Sequence, residues 1–143
     1  MEDGKRWLTI TWKILRGVLI GAALAVLAFV AFFWFRVKSD GHLALRSAKN
    51  ARYAIETVGI EYYGESRSVY SSLTPDGLNK GVAEKVRKYT GAEGEILLQS
   101  YDMRENKVLG MRYTEDHYIV NFSIDENGNE QWRLSYLLDL DLF

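Results

Sequence analysis

The chain has 143 residues, 48% hydrophobic and 26% charged, with 18 Lys and Arg against 19 Asp and Glu and no cysteine. That composition excludes intrinsic disorder, and a chain of this length holds one domain. The near-neutral balance argues against nucleic acid as a partner, which needs a concentrated basic surface, and the absence of thiols excludes disulfides, thiolate metal sites and cysteine nucleophiles.

Residues 1–16 read as a basic tail carrying Lys5, Arg6, Lys13 and Arg16. Residues 17–35, GVLIGAALAVLAFVAFFWF, then run for nineteen positions without a charge. At the helical rise they span roughly 28 Å, which matches a hydrocarbon core of about 30 Å. Arg16 and Arg36 bracket the run, and Trp12 and Trp34 stand near its ends, where amphipathic rings settle at the headgroup level. A cleaved signal peptide is the alternative. Its apolar core is usually only ~7–15 residues and ends at a small-x-small site, and neither feature is found here. A soluble helix would show a polar face, and none interrupts the run. The segment is therefore expected to be a transmembrane helix with the lipid bilayer as its partner. The far flank is also basic, with Arg36, Lys38, Arg46, Lys49 and Arg52. A short basic tail before the first apolar segment is the signal-anchor pattern, and large following domains cross largely regardless of charge. The tail is thus expected in the cytoplasm and residues 36–143 outside it, as one single-pass protein of the cell membrane. Gly17, Gly21, Ala25 and Ala28 fall on one helix face at spacings of 4, 4 and 3. Such small-residue seams let helices approach closely in lipid, although an anchor rich in alanine shows them by composition alone.

Beyond the span, Ser39-Asp40-Gly41 is the only weak interruption. Ala44, Ala48, Ala51, Ile55, Val58 and Tyr62 then recur at spacings of 4, 3, 4, 3 and 4, an apolar seam on one helix face. Arg46, Lys49, Asn50, Arg52, Glu56 and Glu61 lie mostly off it. If the helix bridges residues 39–41, it runs from about Ile14 to Tyr63, with Gly64 as a stop. Residues 64–74 are small and polar, a loop. Thr74-Pro75-Asp76 has the chemistry of a helix start, and Leu78, Val82, Val86 and Tyr89 follow at helical spacing until Gly91.

From Glu95 the period becomes two. Strands are predicted at Glu95–Tyr101, Lys107–Tyr113, His117–Ile124 and Gln131–Leu138. Their one-face sets are Leu109, Met111 and Tyr113, then Tyr118, Val120, Phe122 and Ile124, then Trp132, Leu134, Tyr136 and Leu138. The connections are short and turn-rich, and Asn127-Gly128 is a strong hairpin signal, so the strands should form an antiparallel meander. The expected class is α+β: a long N-terminal helix, a short second helix, and a four-stranded meander packed on the seam of the first helix.

Reactive groups are sparse. His42 and His117 have no partners at metal-ligand spacing. No nucleophile elbow or phosphate loop is present. Asp125-Glu126-Asn127-Gly128-Asn129 resembles part of a calcium loop but lacks the spaced ligands and late glutamate, so a turn is expected. Asn121-Phe122-Ser123 fits the glycosylation triplet inside a strand. Asp139 and Asp141 alternate with Leu140 and Leu142 before Phe143, either as a fraying strand end or as a tail that docks on a neighbouring copy. No cofactor or metal is implied.

A helix that is hydrophobic first and amphipathic later, followed by AKNARYAIETVGIEYYG, a loop and an antiparallel meander, resembles the type IV pilins and pseudopilins in architecture. The resemblance covers most of the chain. In that family the helix forms the filament core and the sheet packs on its second half. The family's prepilin motif places a glutamate at the fifth mature position. Counting from Gly17 puts Ala22 there, and counting from Gly21 puts Val26 there, so no functional residue carries over. Two readings of function follow. One is a non-enzymatic structural or interaction protein, self-associating or joined to other subunits of a membrane assembly. The other is a membrane-tethered module that binds a ligand or envelope component through its sheet. An enzyme would need convergent reactive groups, and the sequence offers none.

Overall fold

The structure is a computed structural model. It describes residues 2–136 and 140–141, with side chains for residues 11–136. The chain forms two units, one up to Ser39 and one from Asp40 onward.

One unbroken helix, α1, spans Glu2–Gly64. It starts earlier than the expected Ile14, so the basic tail is helical from Glu2. Nothing there stops a helix, because the only proline of the chain is Pro75. Ser39-Asp40-Gly41 does not break it either, since a lone glycine costs only about 1 kcal/mol. In the first unit the apolar window of α1 is long and apolar enough to cross a membrane, and none of it is buried. Val18, Leu24, Phe29 and Phe35 are all exposed there.

In the second unit α1 packs against an antiparallel sheet of order β1-β2-β3-β4-β5. The strands are β1 Glu95–Asp102, β2 Lys107–Glu115, β3 Tyr118–Ile124, β4 Glu130–Tyr136 and β5 Leu140–Asp141. The first four are the expected meander. The two-residue β5 adds to it, pairing Asp141 with Ser135 and Leu140 with Tyr136. Leu138 and Asp139 of the predicted tail, with Leu142 and Phe143, lie outside the described residues. Ala44, Ala48, Ala51, Ile55, Val58 and Tyr62 are all buried, none more than 3% exposed. Alanines bring the helix backbone close to the sheet, and Tyr113, Phe122, Met111 and Leu134 supply the volume from the other side. Met111 pairs with Phe122, and Tyr113 with Val120, so the inner residues stand in cross-strand rows.

Leu109 departs from its expected place. It is 36% exposed while Val108 is fully buried. Leu98 pairs with Met111, Ser100 with Gly110 and Tyr101 with Val108, so Gln99 is an extra residue in β1 and Leu109 in β2. Paired bulges shift the alternation by one position, which turns Leu109 outward and Val108 inward. His117 also moves, from the start of a strand into the turn before β3.

The second helix, α2, spans Val82–Thr90 and is capped by Gly91. It does not begin at Thr74-Pro75-Asp76. Those residues form a turn in which the Thr74 hydroxyl donates to Leu78 O at 2.9 Å and Asp76 Oδ1 accepts from Leu78 N at 3.2 Å. Gly77 follows at φ +70, and a Cβ on it would overlap the Leu98 carbonyl. Leu98 N donates to Asp76 O at 2.8 Å. The cap-like residues thus hold a loop against the outer edge of β1, which covers part of an edge that would otherwise be open to pairing. Tyr89 of α2 is half exposed, whereas Val82 and Val86 are buried.

Candidate functional site

Two features of the second unit combine polar chemistry with burial, and both depend on α1. The first is Arg52, the one buried charged residue among those described, at 4% exposure. It stands four residues after Ala48 and three before Ile55, on the shoulder of the packing seam. Its Nη1 donates to Glu130 Oε1 of β4 at 2.7 Å, and its Nε to Glu56 Oε1 at 3.3 Å. The guanidinium lies 4.5 Å from the centroid of the Phe122 ring. Glu56 Oε1 also accepts the Val108 amide at 3.1 Å. One cation therefore links α1, β2 and β4, with its charge matched on two sides. Hydrogen bonding from Arg52 holds the Glu130 carboxyl below the usual carboxylate range, against a smaller opposing effect of burial.

The second feature is a cleft of about 530 Å³ at the C-terminal end of α1. Gly59 and Tyr63 come from the last turns of the helix, Ser66, Arg67 and Ser68 from the loop after it, and Tyr101, Met103 and Asn106 from the β1–β2 hairpin. Gly59 is required by close approach, because a Cβ there would overlap Asn106 Oδ1 and the Tyr101 hydroxyl. Those two groups are hydrogen-bonded to each other. Asn106 Nδ2 in turn donates to Glu56 O at 2.7 Å, which fastens the hairpin tip to the helix. Burial, then the nearby Glu56 and Asp102 carboxylates, push the Tyr101 phenol up to about 12. Among the described residues the lining holds no histidine or carboxylate, and Glu65, the neighbour of Ser66, is paired with Arg67 at 3.2 Å. The arrangement is suited to binding.

A polar cluster fixes α2 beside this end of α1. Tyr89 donates to Glu61 Oε1 at 2.6 Å and Lys85 Nζ to Glu61 Oε2 at 3.0 Å. These bonds, led by that from Tyr89, lower the Glu61 carboxyl. Lys85 and Arg67 both sit over the Tyr62 ring, at 4.8 and 4.3 Å from its centroid.

Gly17, Gly21, Ala25 and Ala28 are exposed on α1, and a Cβ built on either glycine meets nothing within 4 Å. His42 is exposed, and His117 stacks edge-on to Tyr136 at 5.9 Å. Among the described residues no group of three or more metal-ligating side chains is assembled. Asp125 is a turn residue. Its Oδ1 accepts the Asn127 and Asn129 amides at 2.9 and 2.8 Å, and hydrogen bonds from Asn129 lower its carboxyl. Asn121 Oδ1 accepts from Arg112 Nε at 3.0 Å.

Sequence reasoning placed Arg52 off the seam, and the structure buries it. The signal was available: Ala48, Arg52, Ile55 and Gly59 form a second line at helical spacing, with Glu56 at i+4 as an ion-pair partner. The cleft had no such signal, because its walls come from two separated stretches, 59–69 and 101–106.

Fold and site together define a small α+β domain, a helix on an antiparallel meander, with an ion-paired helix–sheet interface and an open mixed cleft. Comparison with protein-family models, curated proteins and solved structures finds no match to this chain.

Proposed function

We propose that this is a non-enzymatic, single-pass membrane protein that works by association. In this reading its basic N-terminal end lies in the cytoplasm and its α+β domain lies outside. The observation that carries the reading is on α1, which holds an exposed, charge-free apolar stretch bearing a small-residue face and then a buried alanine seam. The organisation parallels that of pilins, which supports an assembly role, as a self-associating protein or as an accessory subunit. The basic tail before the apolar run supports the orientation.

A reporter that works only in the cytoplasm, fused after Phe143, should be silent in this orientation. A bright signal would reverse it. Association is tested by Gly21→Leu. Nothing lies within 4 Å of a Cβ at Gly21, so the larger side chain fits a single chain without strain. Leucine is also at least as favourable in lipid, so insertion should be unchanged. The substitution should hold two helices apart and lower the crosslinked oligomer fraction at equal membrane yield. Equal oligomer fractions in the two proteins would remove this face from the mechanism. The second reading, a tethered binding module, is favoured by the cleft at the end of α1.

A further inference from the structure

We propose that the cleft between the C-terminal end of α1 and the β1–β2 hairpin binds a neutral saccharide. This goes beyond the association reading and does not depend on it.

Charge narrows the ligand first. Among the described residues Arg67 is the only ionised side chain in the lining, and its guanidinium contacts Glu65 at 3.2 Å and the Tyr62 ring. An anion there would meet the Glu65 carboxylate beside the guanidinium. It would also face the negative end of the α1 dipole, whose last turn contains no basic residue. A cation would face Arg67. The lining is thus balanced, and an uncharged ligand is the one it opposes least.

The shape of the polarity narrows it further. Tyr63 is 79% exposed and Met103 is 59% exposed, so two large apolar surfaces remain to be covered. Around them stand the Ser66 and Ser68 hydroxyls, the Tyr101 phenol and the Asn106 amide. A sugar ring has this complementary form, with C–H groups on its faces and hydroxyls around its rim. Each sugar hydroxyl both donates and accepts, so it can accept from the Ser66 and Ser68 hydroxyls and donate to the Tyr101 oxygen, whose own proton goes to Asn106 Oδ1. The phenol of Tyr101 keeps its proton at physiological pH, so it remains a hydroxyl rather than a phenolate. The volume falls within the ~300–1,000 Å³ typical of small-molecule sites. The floor is set in advance by the contacts among Gly59, Tyr101, Asn106 and the Glu56 carbonyl, which lowers the ordering cost of binding.

The test is calorimetric titration of the full chain in detergent micelles with chitotriose, cellotriose, maltotriose and, as a charged control, trigalacturonate. Saturable binding of at least one neutral trisaccharide is expected, and Tyr63→Ala should weaken it by about tenfold or more. Tyr63 is largely exposed, so that variant should melt as the parent does. Tyr53→Ala, also exposed on α1 but outside the cleft, should bind as the parent does. The inference is overturned if no neutral trisaccharide saturates by about 10 mM, if trigalacturonate binds best, or if Tyr53→Ala and Tyr63→Ala lose affinity equally. None of these outcomes bears on the Gly21→Leu crosslinking result, so the two readings fail separately.

Discussion

Two stretches of α1 use apolar residues in opposite ways. Between Trp12 and Phe35 the large side chains Leu24, Phe29, Phe32 and Phe35 are more than 60% exposed. Between Ala44 and Tyr62 the buried apolar side chains are four alanines with Ile55, Val58 and Tyr62, at exposures of 0–6%. The first stretch is apolar on every side, which suits a solvent that is itself apolar on every side. The second is apolar along one stripe and small there, because the sheet brings its own bulky residues to the contact. Hydrophobicity alone would rank the first stretch as the better core. Periodicity and side-chain size show that the second one packs against protein.

The largest expected effect comes from breaking the second stretch. Ile55→Asp buries an unpaired carboxylate against the inner face of the sheet and should cost several kcal/mol, enough to abolish cooperative unfolding of the domain. Near-UV circular dichroism of the full chain in micelles reads this. An unchanged transition would mean that the seam is not a packing face, and the contrast between the two stretches would disappear. A smaller effect, about 2–3 kcal/mol, is expected for Arg52→Ala. It removes packing against Phe122 and leaves the Glu56 carboxylate half-satisfied. It falls below the cost of a fully buried pair because the Glu130 side chain is 44% exposed. Glu130→Gln should cost least, within about 1 kcal/mol. Its signature is in the pH dependence. Arg52 lowers the Glu130 carboxyl from its ordinary 4.5, so the stabilisation is complete above that pH and is lost as pH falls through the lower folded-state value. The parent should therefore lose stability in acid more steeply than Glu130→Gln. Parallel acid profiles for the two proteins would show that the charge of Glu130 adds nothing to stability and that Arg52 acts through Glu56 and its packing on Phe122.

Much of the fold was legible because its signals are local. The charge-free run, the 3–4 spacing from Ala44 to Tyr62 and the two-residue alternation after Glu95 each follow from helix or strand geometry over a short window. The Asn127-Gly128 hairpin is local in the same sense. The errors arose where a distant segment decided the outcome. Thr74-Pro75-Asp76 has good helix-start chemistry, yet the edge of β1 takes the turn through Asp76 O and the glycine at 77. Leu109 obeys strand alternation by sequence, and a bulge opposite β1 turns it out.

The sequence by itself therefore determined the elements, their order and most of the apolar faces, Leu109 in β2 and the start of α2 apart, since these depend on neighbours within a few residues. Tertiary structure alone decided the burial of Arg52, whose charge is balanced by Glu130 from a strand 78 positions away. It likewise created the cleft, where Gly59 permits the approach of Tyr101 and Asn106 from a hairpin more than forty residues downstream. Both are long-range pairings, and such contacts are specified by which surfaces meet after the elements pack, a quantity that no local periodicity encodes.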